Sequence, residues 1–392
     1  MIAWGAGTGV SGSQFPLSGN ELILDFHLMN HILELDEETM TLTVEPGVLL
    51  GDLQEYTESR GYFYPPDPAS KHSSIGGNVA TNAGGNRAVK YGTTREYVRE
   101  LTVVLVSGEV LTLGSLNVKS SSGYDLKDLF IGSEGTLGIT TQIKLKLLPL
   151  PAFRKSLLVA FDTVDDATKG ANLALKSGAD PAAIELFERT TIDYAEKYLG
   201  YPLASQKGKA YLLFLLDGND AQIVESQEAL LIDQVKEVAV EIVELDKEEE
   251  KKTWKLRDAI LFGVHAYSEY EMLDEVVPVN KFGELIEYTN TLPEKHGVEV
   301  LSFGHAGDGN VHTLLMHSGM APEVWQEKRA ALLEDLYQKV SDLGGLPSAE
   351  HGIGTQKQEH FLKMTDPVKV AYMRKIKQVF DPDNKLNPGK IF

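Results

Sequence analysis

The chain contains no cysteine among its 392 residues. This absence excludes disulfide bonds, thiolate zinc sites, cysteine-ligated iron–sulfur clusters and a cysteinyl link to a cofactor within this chain. Any metal site must therefore be built from histidine, aspartate or glutamate side chains.

Positive charge is also scarce. The chain has 37 lysines and arginines against 57 aspartates and glutamates, which gives a formal net charge of -20. Such a charge repels nucleic acid and anionic lipid over the whole surface, although it does not forbid a local basic pocket for a small anion. We therefore expect no nucleic-acid partner, and either a small ligand or a protein with a basic face.

Long apolar runs are missing as well. Residues 1–5 lack the basic region and apolar stretch of a signal peptide, and the longest apolar runs, such as 211–216, suit buried strands. We predict no transmembrane segment and a cytoplasmic location, with membrane association arising only through partners.

Two domains are expected, because 392 residues exceed what one hydrophobic core usually holds. The first 150 residues are rich in glycine and predict short strands at 21–26, 41–44, 101–106 and 140–147, with helices at 49–60 and 124–130. Pro149 and Pro151 then deny backbone donors to a continuing sheet. The boundary is therefore predicted at 150, between domains 1–150 and 151–392.

The second domain predicts a different organisation. Strands at 155–161 and 210–216 alternate with helices at 164–177 and 221–240. This is an α+β pattern typical of an antiparallel sheet with helices on one face.

Three glycine-rich stretches, 5–12, 75–85 and 132–138, stand out in the first domain. Glycine permits positive φ and close backbone approach, so successive N–H groups can form an anion-binding nest, to which Thr8, Ser11 and Asn78 add donors. One such stretch would more often be a simple turn, but three together favour phosphate binding. They match neither the P-loop nor the Rossmann dinucleotide fingerprint.

In order and spacing these stretches resemble the vanillyl-alcohol-oxidase/p-cresol-methylhydroxylase type of FAD-binding domain, together with residues 65–68, 90–92 and 123–126. Members carry a βαβ segment before the first glycine loop, so the resemblance implies an N-terminally short FAD domain here. The resemblance assigns FAD contacts to Gly5, Gly7, Thr8, Gly9, Ser11, Pro66, Asp67, Gly76, Gly77, Asn78, Asn82, Gly84, Gly85, Tyr91, Gly92, Glu134, Gly135, Gly138 and Ile139.

The second domain carries two histidines around a turn. His305 and His312 lie on either side of residues 307–310, which are strong turn formers, so a hairpin would bring the two imidazoles together. Glu350, in a separate glycine-flanked loop, would add a carboxylate. The alternative is that these histidines are ordinary polar groups at a turn; the constellation favours a metal site.

The segment with His305 and His312 and the loop with Glu350 resemble the corresponding segments of the family of FAD-linked D-lactate, glycolate and D-2-hydroxyglutarate dehydrogenases. The resemblance implies that His305, His312 and Glu350 hold a divalent cation, and that His351 acts as the base. Zinc, manganese, iron and cobalt all accept such ligands. An imidazole with its ordinary pKa near 6.5 suits general base catalysis at neutral pH.

Two further residues are assigned through the same resemblance. Arg257, in a Trp-x-x-Arg spacing, is the candidate for the substrate carboxylate, and the alternative is a surface salt bridge with Asp258 or Glu269. Asn387 would contact the flavin as the last ~20 residues return to the first domain, although a proline-stopped helix end explains it equally well. Met272 stands where hydroxydicarboxylate-specific members have lysine, which favours a monocarboxylic substrate.

Taken together, these features predict a ferredoxin-like α+β substrate domain after the FAD domain, and metal-assisted oxidation of a D-2-hydroxy acid such as D-lactate or glycolate. Electrons would pass to an external quinone, cytochrome, iron–sulfur subunit or electron-transferring flavoprotein, since the chain offers no internal path. Two alternatives are a non-catalytic electron-relay subunit and an oxygen-using sugar or alcohol oxidase.

Overall fold

The computed structural model describes all 392 residues and divides them into two compact units. Unit 1 comprises residues 1–85, 91–150 and 350–392, and unit 2 comprises residues 86–90 and 151–349. The chain leaves unit 1 after Leu150, beside the two prolines. It returns at Glu350, well before the last ~20 residues that the sequence suggested.

The elements have the following bounds. The strands are β1 (Ile2–Trp4), β2 (Ile23–Asp25), β3 (Ile32–Asp36), β4 (Thr41–Val44), β5 (Tyr62–Phe63), β6 (Val98–Val104), β7 (Val110–Gly114), β8 (Ile139–Lys146), β9 (Leu148–Pro149), β10 (Phe153–Phe161), β11 (Ala183–Glu188), β12 (Ala210–Gly218), β13 (Glu241–Leu245), β14 (Tyr270–Met272), β15 (Glu275–Val276), β16 (Val300–His305) and β17 (Asn310–Met316). The α-helices are α1 (Leu50–Glu58), α2 (Ile75–Thr81), α3 (Ala88–Tyr91), α4 (Lys127–Phe130), α5 (Val164–Ser177), α6 (Arg189–Leu199), α7 (Ala221–Val235), α8 (Lys247–Asp258), α9 (Ile260–Tyr267), α10 (Phe282–Thr289), α11 (Leu292–His296), α12 (Pro322–Asp342), α13 (Gln358–Met364) and α14 (Pro367–Phe380).

Unit 1 is built on a five-stranded antiparallel sheet of order β3-β4-β8-β6-β7. Every second residue of a strand faces the same side, so Leu101 and Val103 on β6 both point into the core. Ile143 and Leu145 on β8 point into the same core, and all four side chains are fully buried. Helix α14 closes the core, with the Phe380 ring edge-on to Phe130 at 5.1 Å.

The C-terminal segment of unit 1 is anchored by a buried lysine. Lys377 Nζ donates to the carbonyl oxygens of Thr136 and Leu386, both at 2.7 Å, and pairs with Asp381. Burial lowers the pKa of Lys377, although the Asp381 carboxylate opposes this effect. The lysine thus ties α14 to the third glycine-rich stretch.

Unit 2 contains an eight-stranded antiparallel sheet of order β13-β10-β12-β11-β16-β17-β14, with β15 also paired to β17. Helices cover both faces, not one as expected: α5 packs against Phe161 and Leu212, whereas Leu256 of α8 and Ile260 of α9 pack on the opposite face. The reason is the composition of the central strands, which are apolar at successive positions and so require cover on both sides.

Two helices are shorter than the sequence predicted. The helix predicted over 221–240 ends at Val235, and the chain then forms β13, which the sequence analysis missed. The helix predicted over 124–130 begins only at Lys127. None of the helices combines the length and apolar character that crossing a bilayer requires.

Candidate functional site

The three glycine-rich stretches line one cleft of unit 1. The cleft is bordered by Ala3, Gly5, Ala6, Gly7, Thr8, Gly9, Ser13, Gln14, Ser74, Gly77, Asn78, Ala80, Thr81, Glu134, Gly135 and Asn387. A neighbouring cleft shares several of these residues and adds Gly76, Gly138 and Ile139. Most residues that the sequence analysis assigned to FAD, including Asn387, therefore lie together.

The residues of this cleft suit an extended polar ligand. Asn78 Nδ2 and Asn387 Oδ1 are buried and have no hydrogen-bond partner within the protein. Buried polar atoms are nearly always paired, so a donor and an acceptor left over in a glycine-lined cleft are what a bound nucleotide would satisfy. The donor set fits FAD.

Besides Ser11, which is described below, seven residues assigned to FAD lie outside both clefts, and their observed contacts shape the loops. Asn82 ends α2 with φ of 52° and accepts a hydrogen bond from the Arg95 N–H at 2.9 Å. Gly85 has φ of 123°, and a methyl group there would lie 2.1 Å from the Asp67 carbonyl oxygen. The full set is Pro66, Asp67, Asn82, Gly84, Gly85, Tyr91 and Gly92.

Two other residues assigned to FAD direct their side chains at the loop that follows Glu350. Ser11 Oγ is 2.9 Å from the carbonyl oxygens of both His351 and Gly352. The Glu134 carboxylate accepts hydrogen bonds from the N–H groups of Ile353 at 2.8 Å and Gly354 at 2.9 Å. Burial raises the pKa of Glu134, although these two hydrogen bonds oppose the effect.

Glu350 and His351 begin this loop. Both side chains are largely buried, and His351 Nε2 lies 3.8 Å from Glu350 Oε1. The second glycine-rich stretch approaches closely, since a methyl group on Gly84 would lie 2.9 Å from Glu350 Oε2. All three glycine-rich stretches therefore contact the segment from Glu350 to Gly354.

In unit 2 the predicted histidine hairpin is confirmed. Strands β16 and β17 pair His305 with Asn310 and Phe303 with His312, so the two histidines are diagonal neighbours on one face. Their Nε2 atoms are 3.3 Å apart, and both side chains are buried. Two nitrogens bound to one tetrahedral ion at about 2.05 Å would be separated by about 3.3 Å, so the spacing suits a shared metal ion.

Arg257 is not a surface residue. It is 5% exposed, and its Nε and Nη2 atoms lie 2.8 and 2.5 Å from Glu185 Oε2, whereas Asp258 is 3.8 Å from Nη1. The contact suggested with Asp258 is therefore present as the longer of two ion pairs, and the shorter one is a buried pair with Glu185. The other Glu185 oxygen lies 2.7 Å from His305 Nδ1.

Asp274 is a second buried carboxylate beside the histidines. Its Oδ1 is 3.9 Å from His312 Nδ1 and accepts a hydrogen bond from Asn310 Nδ2 at 3.0 Å. Its Oδ2 accepts from Ser348 Oγ at 2.7 Å and from the Ala349 N–H at 3.0 Å. Asp274 thus holds the residues immediately before Glu350.

Sequence reasoning missed Glu185 and, for Asp274, the contacts with Ser348 and Ala349. The signal for Glu185 was a single charge inside the apolar run of β11, since a charge in a fully buried strand requires partners. The contacts of Asp274 carried no comparable signal, because they depend on a distant loop.

Comparison with known proteins identifies the family of the chain. Residues 150–391 match the family model "FAD linked oxidases, C-terminal domain", and residues 1–114 match "FAD binding domain". The chain is 40% identical to a D-lactate dehydrogenase of Anaerostipes hadrus, over 99% of this chain and 83% of that protein. It is 36% identical to the glycolate oxidase subunit GlcD of Bacillus subtilis, over 100% of this chain and 83% of that protein.

Solved structures show the same fold. A p-cresol methylhydroxylase with substrate bound is similar over 100% of this chain and 84% of that chain, with a TM-score of 0.79 at 19% identity. A 4-ethylphenol oxidase from Gulosibacter chungangensis gives a TM-score of 0.78, also at 19% identity, over 100% of this chain and 84% of that chain. The fold is therefore the vanillyl-alcohol-oxidase type, and the chain belongs to the FAD-linked oxidase family, as an oxidoreductase of the D-lactate dehydrogenase and glycolate oxidase type.

Proposed function

We propose that the protein oxidises a D-2-hydroxy acid, D-lactate or glycolate, to the corresponding 2-oxo acid. The observation that carries the proposal is the pair of buried histidines with Nε2 atoms 3.3 Å apart, in a chain similar to enzymes named for these substrates. The buried Arg257 would pair with a substrate carboxylate, which sugar and alcohol substrates lack. This argues against the sugar or alcohol oxidase alternative.

Each residue has a distinct role in this proposal. His305, His312 and Glu350 hold a divalent cation (zinc, manganese or iron), and the glycine-rich stretches with Asn78 and Asn387 hold FAD. When bound, FAD would supply a hydride acceptor for the substrate Cα, and a divalent cation would supply Lewis acidity toward the substrate oxygens. His351 accepts the hydroxyl proton, and Arg257 pairs with the substrate carboxylate.

Reoxidation requires an acceptor outside the chain. Without cysteine, the chain cannot hold an iron–sulfur relay of its own. We propose that electrons pass to a quinone, a cytochrome, an iron–sulfur subunit or an electron-transferring flavoprotein. The net charge of -20 favours a protein acceptor with a basic face.

The decisive experiment is an anaerobic absorbance titration of the FAD- and metal-loaded protein with D-lactate, L-lactate, glycolate and D-2-hydroxyglutarate. We expect D-lactate or glycolate to bleach the flavin, and a chelator to abolish the bleaching. Bound flavin that none of the acids reduces would contradict the proposal and favour an electron-relay subunit. Reduction by sugars or alcohols alone would favour the oxidase alternative.

Arg257→Lys tests the carboxylate contact. Lysine keeps the charge but loses the planar fork, so we expect KM for the hydroxy acid to rise about 10- to 100-fold, the equivalent of one charge-assisted hydrogen bond. Arg189→Lys is the control, because Arg189 of the same unit pairs with Asp193 and Glu196. Steady-state kinetics on both variants measure the effect, and an unchanged KM in Arg257→Lys would remove Arg257 from the substrate site.

Glu134→Gln tests the support of the His351 loop. The amide nitrogen of glutamine cannot accept a hydrogen bond, so one of the N–H groups of Ile353 and Gly354 loses its partner, at a cost of about 1–3 kcal/mol. We expect a lower melting temperature and a lower kcat with little change in KM. Glu96→Gln is the control, because Glu96 accepts from the Thr93 N–H within its own turn. A variant with wild-type kcat would show that the loop keeps its position without Glu134.

A further inference from the structure

We propose that Glu185 is a positioning residue that orients both the ring of His305 and the guanidinium of Arg257. This inference rests on the proposed function, in which those two residues bind the metal and the substrate carboxylate. Glu185 itself contacts neither the metal nor the substrate in this assignment. It acts through its two neighbours.

The sheet places Glu185 where it can serve both. Glu185 on β11 is the direct cross-strand partner of His305 on β16, and its side chain is 1% exposed. Oε1 lies 2.7 Å from His305 Nδ1, and Oε2 accepts a hydrogen bond from Arg257 Nε at 2.8 Å. The Glu185 carboxylate therefore contacts both His305 on the neighbouring strand and Arg257 on α8.

The contact with His305 determines which ring nitrogen can bind a metal. An ionised carboxylate only accepts hydrogen bonds, so His305 Nδ1 must carry the proton and Nε2 must carry the lone pair. That Nε2 is the atom 3.3 Å from His312 Nε2. Carboxylate partners of this kind commonly fix the tautomer and orientation of metal-binding histidines.

The charge of Glu185 is maintained by its surroundings. The Arg257 guanidinium faces the Glu185 carboxylate, with Nη2 2.5 Å from Oε2, and this buried ion pair favours the ionised form of the carboxylate. Neighbouring positions of β11 are apolar, for example Ile184 and Leu186. A charge at this position costs desolvation energy. The contacts with His305 and Arg257 account for a charged residue here, whereas packing alone would favour an apolar one.

Glu185→Gln is the test variant, and Glu188→Gln is its matched control. The glutamine keeps the size but can accept from only one of the two partners, through its single oxygen. Glu188 ends the same strand, and its carboxylate accepts from Asn290 Nδ2 at 3.1 Å instead of contacting a histidine. The two substitutions therefore make the same chemical change on one strand, with and without the histidine contact.

The first measurement is Co²⁺ binding to the metal-free, FAD-loaded proteins by equilibrium dialysis without substrate. We expect Glu185→Gln to weaken Co²⁺ binding about 10- to 100-fold, the usual cost of losing a partner that orients a metal ligand. Glu188→Gln is expected to bind as the wild type does. Glu185→Asp, which keeps the charge on a shorter side chain, is expected to restore part of the affinity and provides a second variant if Glu185→Gln does not fold.

The second measurement is the KM of Glu185→Gln for the hydroxy acid, which should rise because Arg257 loses its partner. Equal Co²⁺ affinity in Glu185→Gln, Glu185→Asp and wild type would overturn the inference. Failure of the proposed function has a different result: Glu185→Gln would still bind Co²⁺ more weakly than wild type, while no hydroxy acid would bleach the flavin of either protein.

Discussion

Replacing His351 by glutamine is expected to lower kcat about 10²- to 10⁴-fold, the usual contribution of a general base. Glutamine has similar polarity but cannot accept the hydroxyl proton of the substrate. The backbone of residue 351 should stay in place, because Ser11 Oγ contacts its carbonyl oxygen and not its ring. The flavin content should therefore remain at the wild-type value.

The measurement is the rate of flavin reduction after rapid anaerobic mixing with D-lactate or glycolate. His31→Gln is the control, because His31 lies in the same unit, lines neither cleft, and has its ring 2.7 Å from the Glu45 carboxylate. A His351→Gln protein that reduces its flavin at the wild-type rate would exclude His351 as the base.

Replacing Glu350 by glutamine is expected to release the metal and with it most turnover, while flavin stays bound. A carboxylate supplies a negative charge to a divalent cation, and a neutral amide of the same shape does not. We expect the affinity for Co²⁺ to fall by at least about 100-fold. This is more than the loss of a residue such as Glu185, which only orients a metal ligand, would produce. Metal analysis after dialysis, together with the flavin absorbance, measures the two effects separately.

Gly84→Ala tests the same carboxylate without changing it. The added methyl group would lie 2.9 Å from Glu350 Oε2 and 3.4 Å from its Cβ, so the side chain of Glu350 must move. We expect weaker metal binding than in wild type, with Glu350 still present.

Loss of flavin from Glu350→Gln, with metal retained, would instead mean that the Glu350 loop supports the cofactor.

The order of the glycine-rich stretches made the FAD-binding domain predictable from the sequence. Stretches such as 5–12 and 75–85 carry their conformational requirement locally, because glycine is chosen where φ is positive or the backbone is approached closely. The helix 164–177 was equally predictable and has those bounds in the structure, with Thr163 capping its start and Gly178 ending it. Both signals lie within a few residues of the feature they predict.

The histidine hairpin could be predicted for the same reason. The turn between His305 and His312 is formed by adjacent residues, and two-residue alternation then determines which side chains share a face. Its partners could not be predicted. Glu185 lies 120 positions from His305, and Asp274 lies 74 positions from Ser348.

The sequence by itself therefore determined the family, the type of fold and the local turns, all of which follow from short-range backbone requirements and motif order. Only the tertiary structure decided that Arg257 pairs with Glu185, that Glu134 and Ser11 hold the His351 loop, and that Asp274 holds Ala349. These contacts join residues far apart in the chain. Their pairing is set by strand register and helix packing, which no local pattern of residues specifies.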